Sequence, residues 1–313
     1  MHEGEVFVPD IEEYTIIGDT RLRYDTVPCM RRLIFFHLAK TGGITLRRIA
    51  ERHLPEGYAF YNLSLNQADS KELEEFRALP ETKKEKIAVL AGHMPFGMDK
   101  ELSGPSDYIT MLRNPLDIVV SEYYYLHNSP LKDWHRAIAD FKAMSLGDFA
   151  RSGFNITTNH QTRVLARIWS TFLERSVPVD EAAFSRAKES LRRDFLCVGI
   201  TERFDESLLV MKRRLGWRSI YYFRENKTPG RRPTKSIAPG DRDAILERNH
   251  IDLALWKFAN ELLDKEIEDY GPNFMRDLRH FQRRNFWYQK ARRVALLARG
   301  LMFRLKKLTH LHA

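Results

Sequence analysis

The chain has 313 residues, a formal net charge of +9 and 43% hydrophobic residues, enough apolar material for one substantial core and too much for a long disordered chain. Two cysteines, Cys29 and Cys197, are too few and too far apart for a disulfide framework, a redox pair or a metal knuckle. No apolar run approaches the roughly 18–20 residues of a membrane span, and the start has no cationic stretch leading into an apolar one, so a cytoplasmic protein is expected.

After an N-terminal segment over residues 1–30, the first predicted element is the apolar run from Leu33 to Leu38, a buried strand. It ends in Lys40-Thr41-Gly42-Gly43 and passes into a helical pattern from Thr45 to His53. Paired glycines let the backbone turn tightly and approach a ligand. A helix N-terminus behind such a turn, with a lysine beside it, makes an anion site suited to a phosphate or a chemical relative. This is not the common nucleotide loop, in which the lysine follows the glycines.

Further along, residues 70–85 read as a charged helical region and Lys86 to Ala91 as a strand, with Gly92-His93 just beyond its end. Tyr108 to Arg113 is a third strand with a charged end. Pro115 then opens a helix over Leu116 to Leu126, as proline can at a first turn. Arg113 and Ser121 are placed to converge on a second phosphate, which a guanidinium binds through two hydrogen bonds at once. Segments 134–138 and 145–150 read as a helical insert, 161–175 and 180–191 as helices, Phe195 to Ile200 as a strand and 202–215 as a helix. Ile220 to Phe223 reads as a short strand and 241–268 as one long amphipathic helix or two. Strands alternating with helices predict an α/β fold with a mostly parallel sheet covered on both faces, and ligands at the carboxyl ends of its strands.

The positive charge is not spread along the chain. Eleven Lys and Arg against one acid, Asp277, give residues 276–313 a charge of +10, which leaves −1 of the net +9 for residues 1–275. A nearly neutral body therefore precedes a basic tail, with the break at Gly271-Pro272, and no nucleic-acid partner is expected of the body. In the tail, Val294, Leu297, Leu301, Leu305 and Leu308 recur at helical spacing among basic residues. That pattern fits a helix over residues 276–309 lying on an anionic membrane surface.

The stretches Ala39 to Thr45 and Arg113 to Tyr125 resemble the two cofactor-binding motifs of sulfotransferases. The similarity is greatest to the carbohydrate type that includes the heparan sulfate 2-O- and 6-O-sulfotransferases and their bacterial relatives. Gly92-His93, Asn159-His160-Gln161-Thr162-Arg163, Val198 to Phe204 and Pro233-Thr234-Lys235 fit the same branch, so the resemblance spans roughly residues 31–270. Ala39, Ile44 and Asn114 depart from the family's usual Pro, Thr and Asp, but Lys40, Arg113 and Ser121 all remain.

The resemblance implies a P-loop-like three-layer αβα fold and transfer of a sulfonate from 3′-phosphoadenosine 5′-phosphosulfate (PAPS) to a hydroxyl of a carbohydrate or glycoconjugate, without a metal. It implies His93 as general base and Lys40 as the cation that neutralises the leaving phosphate. The cofactor would be bound by Lys40, Thr41, Gly42, Gly43 and Thr45 at its 5′-phosphate and by Arg113 and Ser121 at its 3′-phosphate, with Lys235 closing over it. Glu202 and Arg163 are secondary candidates for substrate contact. His37 is expected to be a packed neighbour rather than a catalyst. A P-loop-like kinase and a non-catalytic nucleotide-binding adaptor are the alternatives.

Overall fold

The computed structural model describes residues 31–63, 71–128, 141–168, 176–224 and 230–309, of which 297–309 are described as helix backbone only. Five strands form a parallel sheet among these residues: β1 (Arg32–Phe36), β2 (Ala59–Asn62), β3 (Ile87–Gly92), β4 (Ser106–Leu112) and β5 (Phe195–Ile200), in the order β2-β3-β1-β4-β5. Every residue of β1 and β3 is buried, as a sheet covered on both faces requires. β2 and β3 lie on one side of β1 and β4 and β5 on the other, so the chain reverses direction across the sheet at β1, where such folds open a crevice.

Helix α1 (Gly43–Glu51) follows β1 directly, and α4 (Pro115–Asn128) follows β4. The Asn114 side chain accepts from the Leu116 N–H at 3.0 Å, so the departure from Asp keeps the cap. Between them, α2 (Lys71–Arg77) and α3 (Glu81–Lys84) replace the single charged region expected, because Pro80 interrupts it.

Helix α5 (Leu146–Arg151) starts on a capping box formed by Ser145 and Asp148. Helix α6 (His160–Leu165) is shorter than expected; Arg167 turns left-handed, with φ 64°, and the rest of that predicted helix lies outside the described residues. The predicted segment 134–138 also lies outside them. Helices α7 (Glu181–Arg193), α8 (Phe204–Leu215), α9 (Pro239–Arg248) and α10 (His250–Tyr270) complete the body.

Two apolar cores result. The larger surrounds the sheet, and a smaller one packs Val119 and Val120 of α4 against Phe149 of α5 and Ile245 of α9. The strand expected at Ile220–Phe223 is not a strand. Its backbone instead meets the last helix, α11 (Phe274–Thr309), where the Tyr222 N–H donates to the Asn285 side chain at 2.9 Å. Phe274, Leu278, Phe281 and Asn285 of α11 are buried, so its first three turns are built into the body. Among the described residues no helix is long and apolar enough to cross a membrane.

Candidate active site

The register of the sheet assembles the site. Phe36 of β1 pairs with Gly92 of β3 and with Thr110 of β4, so the residues just past these strands emerge side by side. His37 and Lys40 follow β1, His93 follows β3 and Arg113 follows β4. The turn after β1 is tight: Lys40 and Gly42 are both left-handed, with φ 59° and 86°. Helix α1 begins without a side-chain cap and without an acidic residue in its first turn. The Thr45 N–H is taken by the Gly42 carbonyl at 3.1 Å, and among the described residues no side chain caps the helix start, which leaves the Gly43 end of the turn as the place for an anion.

Gly43 cannot carry a side chain here. A Cβ would lie 1.9 Å from Nε2 of His37, whose ring is held between Phe35 (5.3 Å) and His93 (4.4 Å). Gly43→Ala is thus expected to push the His37 ring out and disturb the stack that positions His93. Displacing a reacting group by about an ångström costs ~10²-fold in turnover. Steady-state kinetics on a variant with native circular dichroism checks this, and an unchanged rate would show the stack to be irrelevant.

The His93 Nδ1 lies 2.7 Å from the backbone carbonyl of His37. A carbonyl only accepts, so Nδ1 carries the proton and Nε2 is the basic nitrogen. Burial holds His93 below its ordinary pKa of 6.5, assisted by the nearby charge of Lys40 and opposed by the bond to His37, so the ring is neutral at pH 7. His37 is held well below that value by deeper burial, and His160, the first residue of α6, is pushed down to about 3 by burial and by His93. His37 is packed, as expected.

Lys40 and Arg113 do meet. The Arg113 Nη1 donates to the Lys40 carbonyl at 2.7 Å, which braces the left-handed turn, while Asp117 (3.6 Å) and Glu202 (3.9 Å) face the same guanidinium. The peptide of Arg113 is fixed at both ends by the Gln161 side chain, at 3.0 and 2.8 Å. Gln161 is itself set by Asp252 of α10, which accepts from the Gln161 and Thr162 N–H groups. The Lys40 ammonium sits 3.9 Å over the Tyr125 ring of α4, and burial lowers its pKa while Glu122 pulls it back up.

Not every expected ligand faces the crevice. Thr41 is fully buried and its hydroxyl donates to the Leu38 carbonyl at 2.8 Å, closing the turn. Thr45 is half-buried at the start of α1. Ser121 is buried on α4 and is not bonded to Arg113 among the described residues. Lys235 is exposed on a 3₁₀ turn (Thr234–Ser236). Glu202 accepts from the Asn114 N–H and the Trp256 indole, and Arg163 is buried against the Val177 carbonyl, so both are committed to packing.

Two site residues went unseen in the sequence. Arg231 pairs with Asp117 and presses its charge on Lys40 and Arg113. The basic cluster Arg231-Arg232 ahead of Pro233 was the signal available for it. Glu122 is buried on α4, where the charges of Lys40 and Arg113 both act on it.

A sequence profile of the galactose-3-O-sulfotransferase family matches residues 15–297. The chain belongs to that family. Human galactose-3-O-sulfotransferase 2 is 26% identical over 204 residues, which cover 61% of this chain and 49% of that protein, so the chain spans about half the length of this relative. The crystal structure of mouse sulfotransferase SULT7A1 complexed with PAP is similar with a TM-score of 0.42 and 13% identity, covering 75% of this chain and 89% of that one. A carbohydrate-type sulfotransferase was expected from the motifs. The family match gives its branch as galactose-3-O, beside the heparan sulfate enzymes the motifs resemble.

Proposed function

We propose that this chain transfers the sulfonate group of PAPS to a hydroxyl of a galactose-bearing carbohydrate or glycoconjugate. The observation that carries the reading is the pairing of a neutral, oriented His93 with Lys40 at one sheet edge, in a chain of this family. The residues present fit a nucleotide bearing two phosphates. The turn over Gly42 and Gly43 with the N-terminus of α1 offers backbone donors, and Lys40, Arg113 and Arg231 supply three cations. PAPS when bound supplies a sulfonate on a phosphate leaving group, a loose in-line transfer akin to phosphoryl transfer.

In this reading Nε2 of His93 takes the proton of the acceptor hydroxyl. Lys40 places its charge where negative charge grows on the leaving oxygen, and its low, partly desolvated setting strengthens that effect. Arg113 holds the 3′-phosphate, and Arg231, paired with Asp117, adds a further cation from the loop before α9. Incubation with sulfur-labelled PAPS and a panel of terminal galactosides tests the proposal. Labelled sulfated galactoside is expected; label that stays on nucleotide with every sugar acceptor would count against it.

For the basic tail, we infer a membrane-surface role for the half of α11 that leaves the body. Phe286, Trp287, Val294 and Leu296 are exposed, with Lys290, Arg292 and Arg293 among them. The side chains of Leu297, Leu301, Leu305 and Leu308 lie outside the described residues. Each basic residue near an anionic surface adds about 1 kcal/mol. Because residues 274–285 are part of the core, the informative truncation ends at Gln289. Full-length protein is expected to co-sediment with phosphatidylserine vesicles and the truncated chain to stay in solution; equal pelleting would remove the idea.

A further inference from the structure

Glu122 is a carboxylate inside an anion-binding site. It is 4% exposed and stands on α4 next to Ser121, three residues before Tyr125. The Lys40 ammonium rests 3.9 Å over the ring of Tyr125, one helical turn along α4 from Glu122, and the charges of Lys40 and Arg113 both act on the buried carboxyl. The other charges about this cluster belong to Arg231, which presses on Lys40 and Arg113, and to Asp117 and Glu202, which face Arg113. His93 lies beyond Lys40, with His160 and His37 beside it.

We propose that Glu122 is the built-in counter-ion of this site, which positions Lys40 while the site is empty and takes up a proton as the nucleotide's phosphates enter. The proposal rests on the nucleotide reading above. Two cations act on one buried carboxylate, so its charge is compensated only as long as they remain its neighbours. Phosphates that claim Lys40 and Arg113 remove that compensation and add like charge, and a carboxylate cannot stay ionised in such surroundings. Burial has already pushed Glu122 up to about 7 against the pull of Lys40 and Arg113, so protonation near neutrality is within easy reach.

A site that gains a proton with each nucleotide binds more weakly as pH rises. The effect begins near 7, where Glu122 ionises in the empty protein, and nucleotide release returns the proton to solvent. The neutral carboxyl can also donate a hydrogen bond, which an ionised one cannot.

The test is calorimetry of 3′-phosphoadenosine 5′-phosphate binding to the full chain at about pH 8, where the ligand's phosphates, with second pKa values near 6, are already ionised. Titrations in HEPES and in Tris, which differ in ionisation enthalpy, count protons. Wild type is expected to take up ~0.5–1 proton per nucleotide. Glu122→Gln is expected to abolish that uptake and to bind the nucleotide roughly tenfold tighter at this pH, one pKa unit of repulsion removed. Uptake that persists in Glu122→Gln would assign it to His93 or a neighbour and overturn the proposal. A wild-type enthalpy independent of buffer would overturn it too, without any variant. Absence of nucleotide binding by wild type would instead overturn the nucleotide reading itself.

Discussion

His93→Ala is expected to lower the turnover number for sulfonate transfer by ~10²–10⁴-fold, the usual worth of a positioned general base, while leaving nucleotide affinity almost unchanged. The structure gives both halves of that expectation. The ring is tied by Nδ1 to the His37 carbonyl and stacked on His37, so it is held by the protein and not by the nucleotide. Its pKa is lowered, first by burial, so the ring is neutral at pH 7, and a general base in this position would be lost on acidification. The acid limb of the wild-type profile should therefore fall below 6.5 and vanish in the variant. His37 is a poor substitute, because its ring is wedged against Gly43 and its pKa is lower still. Single-turnover transfer on nucleotide-saturated enzyme measures the effect. A folded His93→Ala protein that transfers at the parent rate would sink the assignment.

Arg113→Ala should act first on binding. Loss of a charged hydrogen-bonding partner costs ~2–3 kcal/mol, roughly a hundredfold in the dissociation constant for 3′-phosphoadenosine 5′-phosphate. The structure adds a second effect. Arg113 also braces the Lys40 carbonyl at 2.7 Å, and Lys40 occupies a left-handed conformation that a non-glycine residue holds only under constraint. Turnover at saturation is therefore expected to fall as well, through a Lys40 that wanders. Arg113→Lys should recover little of either, since an ammonium lacks the planar fork that binds a phosphate through two parallel hydrogen bonds while a third donor reaches the carbonyl. Calorimetry and saturating kinetics separate the two effects, and an unchanged dissociation constant would remove Arg113 from the nucleotide site.

The parts of this site that were legible in the sequence are those set by local pattern. An apolar run closed by Lys40-Thr41-Gly42-Gly43, and another closed by Arg113-Asn114-Pro115, mark strand ends before any partner is known. Parallel pairing then brings such ends together. Ala59–Asn62 carries no such mark, because its short apolar stretch ends in no charged or glycine-proline turn and the edge strand is exposed at both ends. Ile220–Phe223 has the apolar character of a strand, yet its burial is supplied by α11 and its backbone donor is satisfied by Asn285.

Glu122 could not be read as a site residue, since in sequence it is one polar residue in Ser-Glu-Tyr-Tyr-Tyr. Only the tertiary approach of Lys40 and Arg113 turns it into a buried charge. The tail carries two stripes, of which Phe274, Leu278, Phe281 and Asn285 dock on the body while the exposed residues from Phe286 onward do not. Spacing alone does not say which stripe finds a partner.

A crevice built for a nucleotide with phosphates at both the 3′ and 5′ positions should show that preference in calorimetry of 3′-phosphoadenosine 5′-phosphate beside AMP and ATP, with and without Mg²⁺. The bisphosphate is expected to bind tightest, by a margin of ~10²-fold over AMP if Arg113 engages the 3′-phosphate, and to be indifferent to Mg²⁺. Tightest binding of Mg²⁺-ATP, with the bisphosphate no better than AMP, would mean that the crevice is not a bisphosphate site and would favour a kinase.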